Sequence, residues 1–410
     1  MRFSTSWRTL FPIATIALIA CDNGTTDPGD GDGTPPSIGP VALRTEGNGK
    51  VSDRYTGEVW VVDNVAYTTT WGFRIVNDVR SNGNAVNIWD VSGATPTLID
   101  SLIVPDARTL GDVQASDDGK LLIVATEYSP GSIVIYDLAD PKKPQLISRF
   151  TSANTDAGVH TAEVQRVNGK LYAFLSIDPG QGPARLVIVD ITNPAAPVEV
   201  LSKVMGDPFV HDVFVRDGIL MTALWTEGIS IFDIGGGGKG GTVANPVLLG
   251  NVRTVGGNAH NIWWFHDPSD GSKRFAFVGE EGPGSVPSSS KGDIHVVDVS
   301  DLAHPREVAF YSVPGAGTHN FSVDESRGVL YAAFYNGGVH ALNVRGSNLG
   351  ACSSSMKISG RCDLKQVGRE VAVGLTDTGS PVFVWGVKAV GTKLYASDML
   401  NGLWKLETTP

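Results

Sequence analysis

Histidines recur at one position of a repeated pattern in this chain. His211, His260 and His319 each directly precede an acidic or amide residue, and His160 lies three residues before the equivalent Glu163. The acidic or amide position itself recurs in six segments, at Glu58, Asp112, Glu163, Asp212, Asn261 and Asn320. Imidazoles and carboxylates that converge from neighbouring segments could hold an anionic ligand or a transition metal, with His211, His260 and His319 as the metal ligands.

Two interpretations of this cluster stay open. A metal site would need hydrogen-bond partners for its histidines, and Asp212 and Glu163 are candidates for that role. The structural interpretation is that duplication of a repeat multiplied a harmless pair of polar residues, which hydrogen-bond to water and to neighbouring backbone. Because the spacing is near 50 residues, the histidines meet only if the fold arranges the repeats around a common axis.

The elements that would position these residues are seven short, apolar segments that end in Asp, Asn or Glu. They cover residues 86–90, 133–137, 186–190, 229–233, 294–298, 339–343 and 403–407. Each predicts a buried strand that follows two others and precedes a turn and, in most repeats, a fourth strand. Such a unit cannot bury its faces alone, so the recurrence predicts an all-β fold: a seven-bladed β-propeller of four-stranded antiparallel blades.

The ends of the repeat region predict how the ring closes. The last repeat reaches Pro410 soon after its third strand and lacks a fourth, whereas residues 40–44 precede the first strand of the first repeat. We expect this N-terminal strand to complete the last blade and close the ring, because that pairing removes an exposed sheet edge.

One repeat carries a recognisable family motif. Residues 186–190 read LVIVD and residues 191–194 read ITNP, which resembles the motif of the LVIVD-repeat proteins. These are bacterial and archaeal surface propellers, some of them called choice-of-anchor proteins because members attach to the envelope by different means. The resemblance covers residues 40–410, although Asn343 and Glu407 replace the closing Asp in the last two repeats. It implies a propeller scaffold and no common reaction.

The N-terminal residues resemble a bacterial lipoprotein signal. Two arginines precede an apolar run, residues 10–20, that is too short for a membrane span, and Cys21 follows it in a lipobox-like context. We therefore predict a signal peptide at residues 1–20, a disordered tether at residues 21–39 and the propeller at residues 40–410. An ordinary secretory signal with a chance cysteine is the alternative. Lipid on Cys21 would place the protein in the cell envelope, at the outer membrane, the periplasmic face or the cell surface.

Cysteine usage and charge limit the compartment and the partners. Without Cys21 the chain has two cysteines, Cys352 and Cys362, which predict a disulfide in an exported protein. A metal-binding pair is the alternative, although no second pair or nearby histidine completes such a site. The formal net charge of −11 argues against nucleic acid and anionic lipid surfaces as partners, so the N-terminal lipid would carry the membrane attachment.

A glycine-rich stretch, residues 235–242, superficially matches a phosphate-binding loop. Its Lys239 is not followed by Ser or Thr, and no helix is expected after it. The P-loop mechanism therefore fails, and we expect a flexible turn.

The loops above the histidine level complete the candidate ligand site. In a four-stranded antiparallel blade, the first strand starts on the rim where the third also begins, around one mouth of the central channel. Loop residues that would crowd this mouth are Trp71, Arg74, Tyr128, Trp225, Glu227, Glu280, Glu281 and Asp398. We single out Trp71, Trp225 and Glu280, because aromatic and charged loops on a rigid scaffold commonly bind ligands. Ordinary loop composition is the alternative.

The sequence therefore leaves two functions of different classes. The preferred one is a lipid-anchored envelope scaffold that binds a protein, a glycan or a small ligand at the channel mouth, without turnover. Its ligand-binding residues would be His160, His211, His260, His319, Glu163, Asp212, Asn261, Asn320, Trp71, Trp225 and Glu280. The alternative is a metal-dependent oxidase or hydrolase with its ion on the histidine rim. A transition metal is the one cofactor that the residues suggest.

Overall fold

The structure is a computed structural model that describes residues 34–177, 183–206 and 208–410. The predicted signal peptide, Cys21 and most of the predicted tether lie outside these residues. Within them, seven antiparallel blade sheets follow one another along the chain, six of four strands and one that gains two further short strands. The fold is an all-β, seven-bladed β-propeller, as the recurrence predicts.

The chain builds each blade from the innermost strand outward, after a first strand that belongs to the last blade. This first strand and those of blades 1 to 3 are β1 (Arg44–Gly49), β2 (Tyr55–Val62), β3 (Val65–Trp71), β4 (Phe73–Val76), β5 (Val79–Asn82), β6 (Ala85–Asp90), β7 (Thr97–Ile103), β8 (Thr109–Ala115), β9 (Leu121–Glu127), β10 (Ser132–Asp137), β11 (Gln145–Phe150), β12 (Thr161–Val167), β13 (Lys170–Ile177), β14 (Ala184–Asp190) and β15 (Val198–Gly206). β4 and β5 form a separate hairpin in the loop between β3 and β6.

Blades 4 to 7 follow the same order. Their strands are β16 (Asp212–Arg216), β17 (Ile219–Ala223), β18 (Ile229–Asp233), β19 (Val247–Val252), β20 (Ala259–Asp267), β21 (Ser272–Glu280), β22 (Gly282–Pro283), β23 (Ser290–Lys291), β24 (Ile294–Asp298), β25 (Arg306–Tyr311), β26 (Phe321–Asp324), β27 (Val329–Ala333), β28 (Val339–Asn343), β29 (Lys357–Ile358), β30 (Arg361–Asp363), β31 (Glu370–Gly374), β32 (Val384–Val390), β33 (Lys393–Asp398) and β34 (Gly402–Glu407). One short 3-10 helix covers Ser354–Met356.

The hydrophobic core lies between neighbouring blades. The seven predicted segments are the third strands of the blades, and several of them are apolar on both faces because each face meets another blade. In blade 3, Val187 and Val189 pack with residues of blade 2, whereas Leu186 and Ile188 pack with residues of blade 4. Burial of each such side chain contributes about 1.5–3 kcal/mol before entropy is counted.

The acidic residue that ends these strands organises the turn that follows. The Oδ1 atoms of Asp90, Asp190 and Asp298 each accept the backbone N–H of the residue two positions later, at 3.0 to 3.1 Å. Asn343 accepts the N–H of Arg345 in the same way at 3.0 Å. A side-chain oxygen in this position mimics a backbone turn, which Asn can do as well as Asp. The recurring Asp of the motif therefore has a structural role.

The N-terminal strand closes the ring. β1 pairs antiparallel with β34 and supplies the outermost strand of blade 7, as predicted. The strand covers Arg44–Gly49, however, and overlaps the predicted residues 40–44 only at its first position. Glycine has a low strand propensity, so the glycines of β1 hide this strand in the sequence. Gly49 is required by close packing, because a Cβ there would lie 2.6 Å from the Trp89 ring.

An insertion in blade 6 covers the outer edge of blade 5. β30, from the segment between β28 and β31, pairs in parallel with β25, and β29 pairs with β30. Cys352 and Cys362 of this segment form a disulfide, as predicted for an exported chain. Covering an outer strand in this way protects a sheet edge that could otherwise pair with another chain.

The glycine-rich stretch wraps around one carboxylate of its own chain. Asp233 accepts the backbone N–H groups of Gly235, Gly237, Lys239 and Gly241 at 2.7 to 3.1 Å. Burial opposes ionisation of this carboxyl, but the four donors prevail and lower the pKa of Asp233 to about 2. The expected flexible turn is thus corrected to a loop built around a buried anion.

Candidate functional site

The recurring acidic and amide residues form one layer across the central channel. They come from six of the innermost strands and the residues just before them, and they line a single cavity: Glu58, Asp112, Glu163, Asp212, Asn261 and Asn320. Blade 7 has Gly386 at this level, where a Cβ would lie 2.2 Å from Glu58. Asn320 donates a hydrogen bond to Glu58, and Asp112 accepts the N–H of Ala162 in the next blade at 3.1 Å. The layer therefore links neighbouring blades as well as lining the channel.

Burial in this narrow layer makes its carboxyl groups hard to ionise. Burial and the charge of Asp112 raise the pKa of Glu58 to about 7. Burial, with Asp212 and Asp112 nearby, raises the pKa of Glu163 to about 8, and burial with Asp112 raises the pKa of Asp212 to about 8. Lys388 lies two residues after Gly386 on the innermost strand of blade 7, and burial lowers its pKa to about 8. At neutral pH the layer therefore retains protons that exposed carboxyl groups would have lost.

The large cavity of the channel lies on the side of this layer away from the histidines. It has a volume of about 700 Å³ and reaches the exposed residues Ser326 and Gly391 near the far ends of the innermost strands. Its walls combine aromatic and polar side chains: Trp60, Phe214, Trp263, Gln114, Gln165, Ser322, Lys388 and Arg216. Small-molecule sites typically measure about 300–1,000 Å³. The sequence predicts a ligand site at the mouth on the histidine rim, whereas this cavity opens at the opposite mouth.

The histidines close the other end of the channel. His211, His260 and His319 occupy the same place in consecutive blades, and they are 6%, 3% and 3% exposed. The ring centroids of successive pairs are 4.3 and 4.1 Å apart. Burial, reinforced by the neighbouring imidazoles, lowers the pKa of all three well below the usual range, so the rings are neutral. The propeller thus brings together the three histidines that the repeat spacing marks.

Glu281 lies among these three histidines. Its Oε2 atom is 3.4 Å from Nε2 of His211 and 3.8 Å from Nε2 of His260. Its Oε1 atom is 3.9 Å from Nε2 of His319 and accepts a hydrogen bond from the Tyr335 hydroxyl at 2.5 Å. Three imidazole Nε2 atoms therefore converge on one carboxylate.

The neighbouring Glu280, which the sequence favours, contacts a different histidine. Its carboxylate lies 3.4 Å from Nε2 of His295, whose Nδ1 atom is 2.8 Å from Glu307. Adjacent residues of an extended segment point to opposite sides, so the sequence alone could not tell which glutamate meets the histidine cluster. Glu281 is therefore the glutamate that meets the cluster of His211, His260 and His319.

Aromatic rings flank the histidine cluster. Trp225 stacks on His211 with ring centroids 5.1 Å apart, and Trp385 lies 4.4 Å from the ring of His319. Nδ1 of His319 donates to the carbonyl of Trp385 at 2.7 Å, so its partner is backbone rather than Asp212 or Glu163. Trp385 and the following glycine stand where blades 4 to 6 have His and an acidic or amide residue, a signal that the sequence contained.

His160 borders the cluster and is tied to a second carboxylate. Its Nδ1 atom is 2.9 Å from Oε1 of Glu127, and Trp71 donates its indole N–H to the same carboxylate at 3.2 Å. The His160 ring also lies 4.2 Å from the ring of His211. A small cavity of about 50 Å³ lies between the histidines and the acidic layer. Its lining includes His160, His260 and His319 on one side and Asp112 and Asp212 on the other.

Comparison with known proteins supports the fold. The profile of the LVIVD repeat matches residues 181–203 and 289–313, which include the third strands of blades 3 and 5. The chain is thus a seven-bladed β-propeller that carries LVIVD repeats. No curated protein matches it. None of the helical segments in residues 34–177, 183–206 and 208–410 has the length and hydropathy needed to cross a membrane.

Proposed function

We propose that this protein is a lipid-anchored binding protein of the cell envelope that takes a small cationic ligand into the open end of its central channel. The observation that carries the proposal is a cavity of about 700 Å³ with an acidic floor. A propeller with LVIVD repeats suggests a scaffold or binding role. The volume favours a small ligand over the protein and glycan partners that the sequence also allows.

The walls of the cavity favour a cationic group. Nζ of Lys388 lies 3.2 Å from the ring centroid of Trp60, which is a cation–π arrangement inside the channel. Trp263 and Phe214 present further aromatic surface to the same cavity. A ligand ammonium could use these faces as Lys388 uses Trp60, while its other atoms fill the volume between them.

The acidic floor favours the same ligand class for a separate reason. The pKa values of Glu163 and Asp212 are raised to about 8 because burial and like charges oppose their ionisation. A positive charge that enters the layer would offset both effects and release protons from these carboxyl groups. An anionic ligand would instead raise the pKa values of these carboxyl groups further. Binding should therefore be selective for cations and coupled to proton release near pH 7.

The alternative of a metal-dependent oxidase or hydrolase requires a substrate to reach the histidine cluster. His211, His260 and His319 are at most 6% exposed, and the acidic layer separates them from the large cavity. This burial favours binding without turnover.

A ligand screen with two readouts tests the channel proposal. Purified protein would be titrated with glucosamine, choline and putrescine, and with citrate and glucose 6-phosphate as anionic counterparts. Intrinsic tryptophan fluorescence reports on Trp60 and Trp263, and calorimetry in buffers of different ionisation enthalpy counts the protons released. We expect saturable binding of at least one cation, with proton release at pH 7, and no binding of either anion.

Channel variants with a matched control localise the binding. Asp212→Asn should weaken binding about 10- to 100-fold, the effect of losing a hydrogen bond to a charged group. Glu227→Gln removes an exposed carboxylate near the opposite rim and should leave binding unchanged. Preferential anion binding, or cation binding that Glu227→Gln abolishes and Asp212→Asn leaves intact, would refute the proposal.

The anchor is tested independently through Cys21. Cells that express the full chain would be fed an alkyne-tagged fatty acid, and the protein would be fractionated with the envelope. The wild-type chain should carry the label and sediment with membranes. Cys21→Ser should lose both properties. If the variant still carries the label, the lipid of the wild-type chain is not attached to Cys21.

A further inference from the structure

We propose that His211, His260, His319 and Glu281 form a binding site for one divalent transition-metal ion at the closed end of the channel. The site would use Nε2 of each histidine and one oxygen of Glu281. It is separate from the proposed ligand cavity, and a failure of either proposal leaves the other standing.

The distances among these atoms suit a single ion. One ligand atom each from His211, His260 and Glu281 lies within 4.8 Å of the other two, and Nε2 of His319 lies 3.9 Å from Oε1 of Glu281. Metal–ligand bonds of about 2.0–2.1 Å in a tetrahedron place the ligand atoms about 3.4 Å apart. The Nε2 atom of His211 is already at 3.4 Å from Oε2 of Glu281. His211, His260 and Glu281 would reach this geometry if their separations of at most 4.8 Å closed to about 3.4 Å, and His319 would have to approach them as the fourth ligand.

The hydrogen bonds of His319 and Glu281 orient Nε2 of the histidine toward Oε1 of the glutamate, 3.9 Å away. A carbonyl can only accept, so the contact at 2.7 Å means that Nδ1 of His319 carries the proton that goes to Trp385. In the neutral ring, Nε2 then has a lone pair, and it faces a carboxylate oxygen that already accepts from Tyr335. A cation between these two atoms would be bound by both, and metal-bound histidines are commonly held by this type of backbone contact.

The surrounding residues hold the cluster in place. Tyr335 fixes Oε1 of Glu281, and the rings of Trp225 and Trp385 pack against His211 and His319. Such outer contacts preorganise a metal site and exclude competing water.

The donor set indicates the class of metal. Imidazole suits zinc, copper, iron and nickel, whereas calcium and magnesium prefer oxygen ligands alone. Three imidazoles and one carboxylate therefore point to an ion of the zinc type. The acidic layer, which offers carboxylate and amide oxygens, would attract calcium or magnesium, so the two places can be told apart by metal and by variant.

Metal binding to the purified protein tests the proposal directly. After treatment with a chelator and dialysis, the protein would be titrated with Zn²⁺, with Co²⁺ as a spectroscopic probe, and with Ca²⁺. Bound metal would be measured by elemental analysis, and the visible absorption of Co²⁺ would report on coordination by nitrogen. We expect one Zn²⁺ or Co²⁺ per chain and an intense absorption typical of four-coordinate Co²⁺.

Four variants locate the ion. Glu281→Gln and His260→Ala should each weaken Zn²⁺ binding by at least about tenfold, since even outer-contact changes have effects of about 10- to 100-fold. His304→Asn changes an exposed histidine and Glu227→Gln changes an exposed carboxylate; both should keep one ion per chain. Circular dichroism confirms that each variant is folded.

Three results would overturn the proposal. The first is a folded wild-type protein that binds neither Zn²⁺ nor Co²⁺ after chelation. The second is binding that survives both Glu281→Gln and His260→Ala. The third is binding that is lost in Asp212→Asn and kept in Glu281→Gln, since the ion would then lie in the acidic layer.

Discussion

The raised pKa of Glu163 predicts that this protein loses stability as the pH rises, and that one isosteric substitution removes part of the loss. Burial, with Asp212 and Asp112 nearby, raises the pKa of Glu163 from 4.5 to about 8. Between these two pH values the folded protein holds a proton that the unfolded chain has released. The free energy of unfolding must therefore fall as the pH increases through this window.

The size of the effect follows from the change in proton affinity. Each pKa unit corresponds to about 1.4 kcal/mol, so the full change from 4.5 to about 8 is worth at most about 5 kcal/mol. Glu163 borders a cavity that solvent can enter, and water there reduces the cost of ionisation. We therefore expect Glu163→Gln, which mimics the protonated form, to stabilise the protein at pH 8 by about 1–2 kcal/mol relative to the wild type. At pH 4.5 the two proteins should differ little.

Urea unfolding at pH 4.5, 6.5 and 8 measures this difference without the ionic screening that guanidinium would add. Asp377→Asn serves as the control, because it removes one negative charge at an exposed position. Its difference from the wild type should stay nearly constant with pH. The reasoning is refuted if the stability curves of Glu163→Gln and the wild type run parallel from pH 4.5 to 8, or if the variant is the less stable protein at pH 8.

Three further predictions concern the scaffold. Gly111→Ala should destabilise the protein by about 1–3 kcal/mol in urea unfolding, because its Cβ would lie 2.0 Å from the carbonyl oxygen of His160; wild-type stability would refute the packing. Replacing Cys352 and Cys362 by Ala should reduce the stability by about 2–3 kcal/mol in thermal unfolding, because the loop is no longer closed. A reductant should lower the melting temperature of the wild type by the same amount. An unchanged melting temperature would contradict this prediction. Asp190→Ala removes the acceptor that organises the turn after the third strand and should cost about 1 kcal/mol in urea, whereas Asp190→Asn should retain most of the stability; equal losses in both would argue against the turn.

The scaffold could be predicted from the sequence because the same pattern of apolar and turn residues recurs in every repeat. The apolar segments, the turns and the closing Asp recur at residues such as Asp90, Asp190 and Asp298, and each recurrence repeats the evidence for one buried third strand. The closing strand was harder to place, because Gly49 is selected by contact with Trp89 and not by any propensity of its own.

The candidate site was predictable only in part. The histidines and the acidic positions share a register in the repeat, so their layers follow from the fold itself. Glu281 has no counterpart in the repeat, since it comes from a loop after β21, and its choice over Glu280 depends on how that loop turns. Which side of the channel is accessible likewise depends on aromatic side chains such as Trp225 and Trp385. They pack beside the histidines only when all seven blades have assembled.

The amino-acid sequence by itself determined a closed wheel of seven sheets, because its hydrophobic periodicity and turn residues are local properties that each blade expresses independently. It also determined the disulfide pair, since only two cysteines remain after the N-terminal one. Tertiary structure alone decided which carboxylate meets the three imidazoles, where the ionisation of the acidic layer is suppressed, and from which mouth a ligand can enter. Those features arise when groups tens of residues apart share one small volume, where their distances and burial depend on the assembled ring.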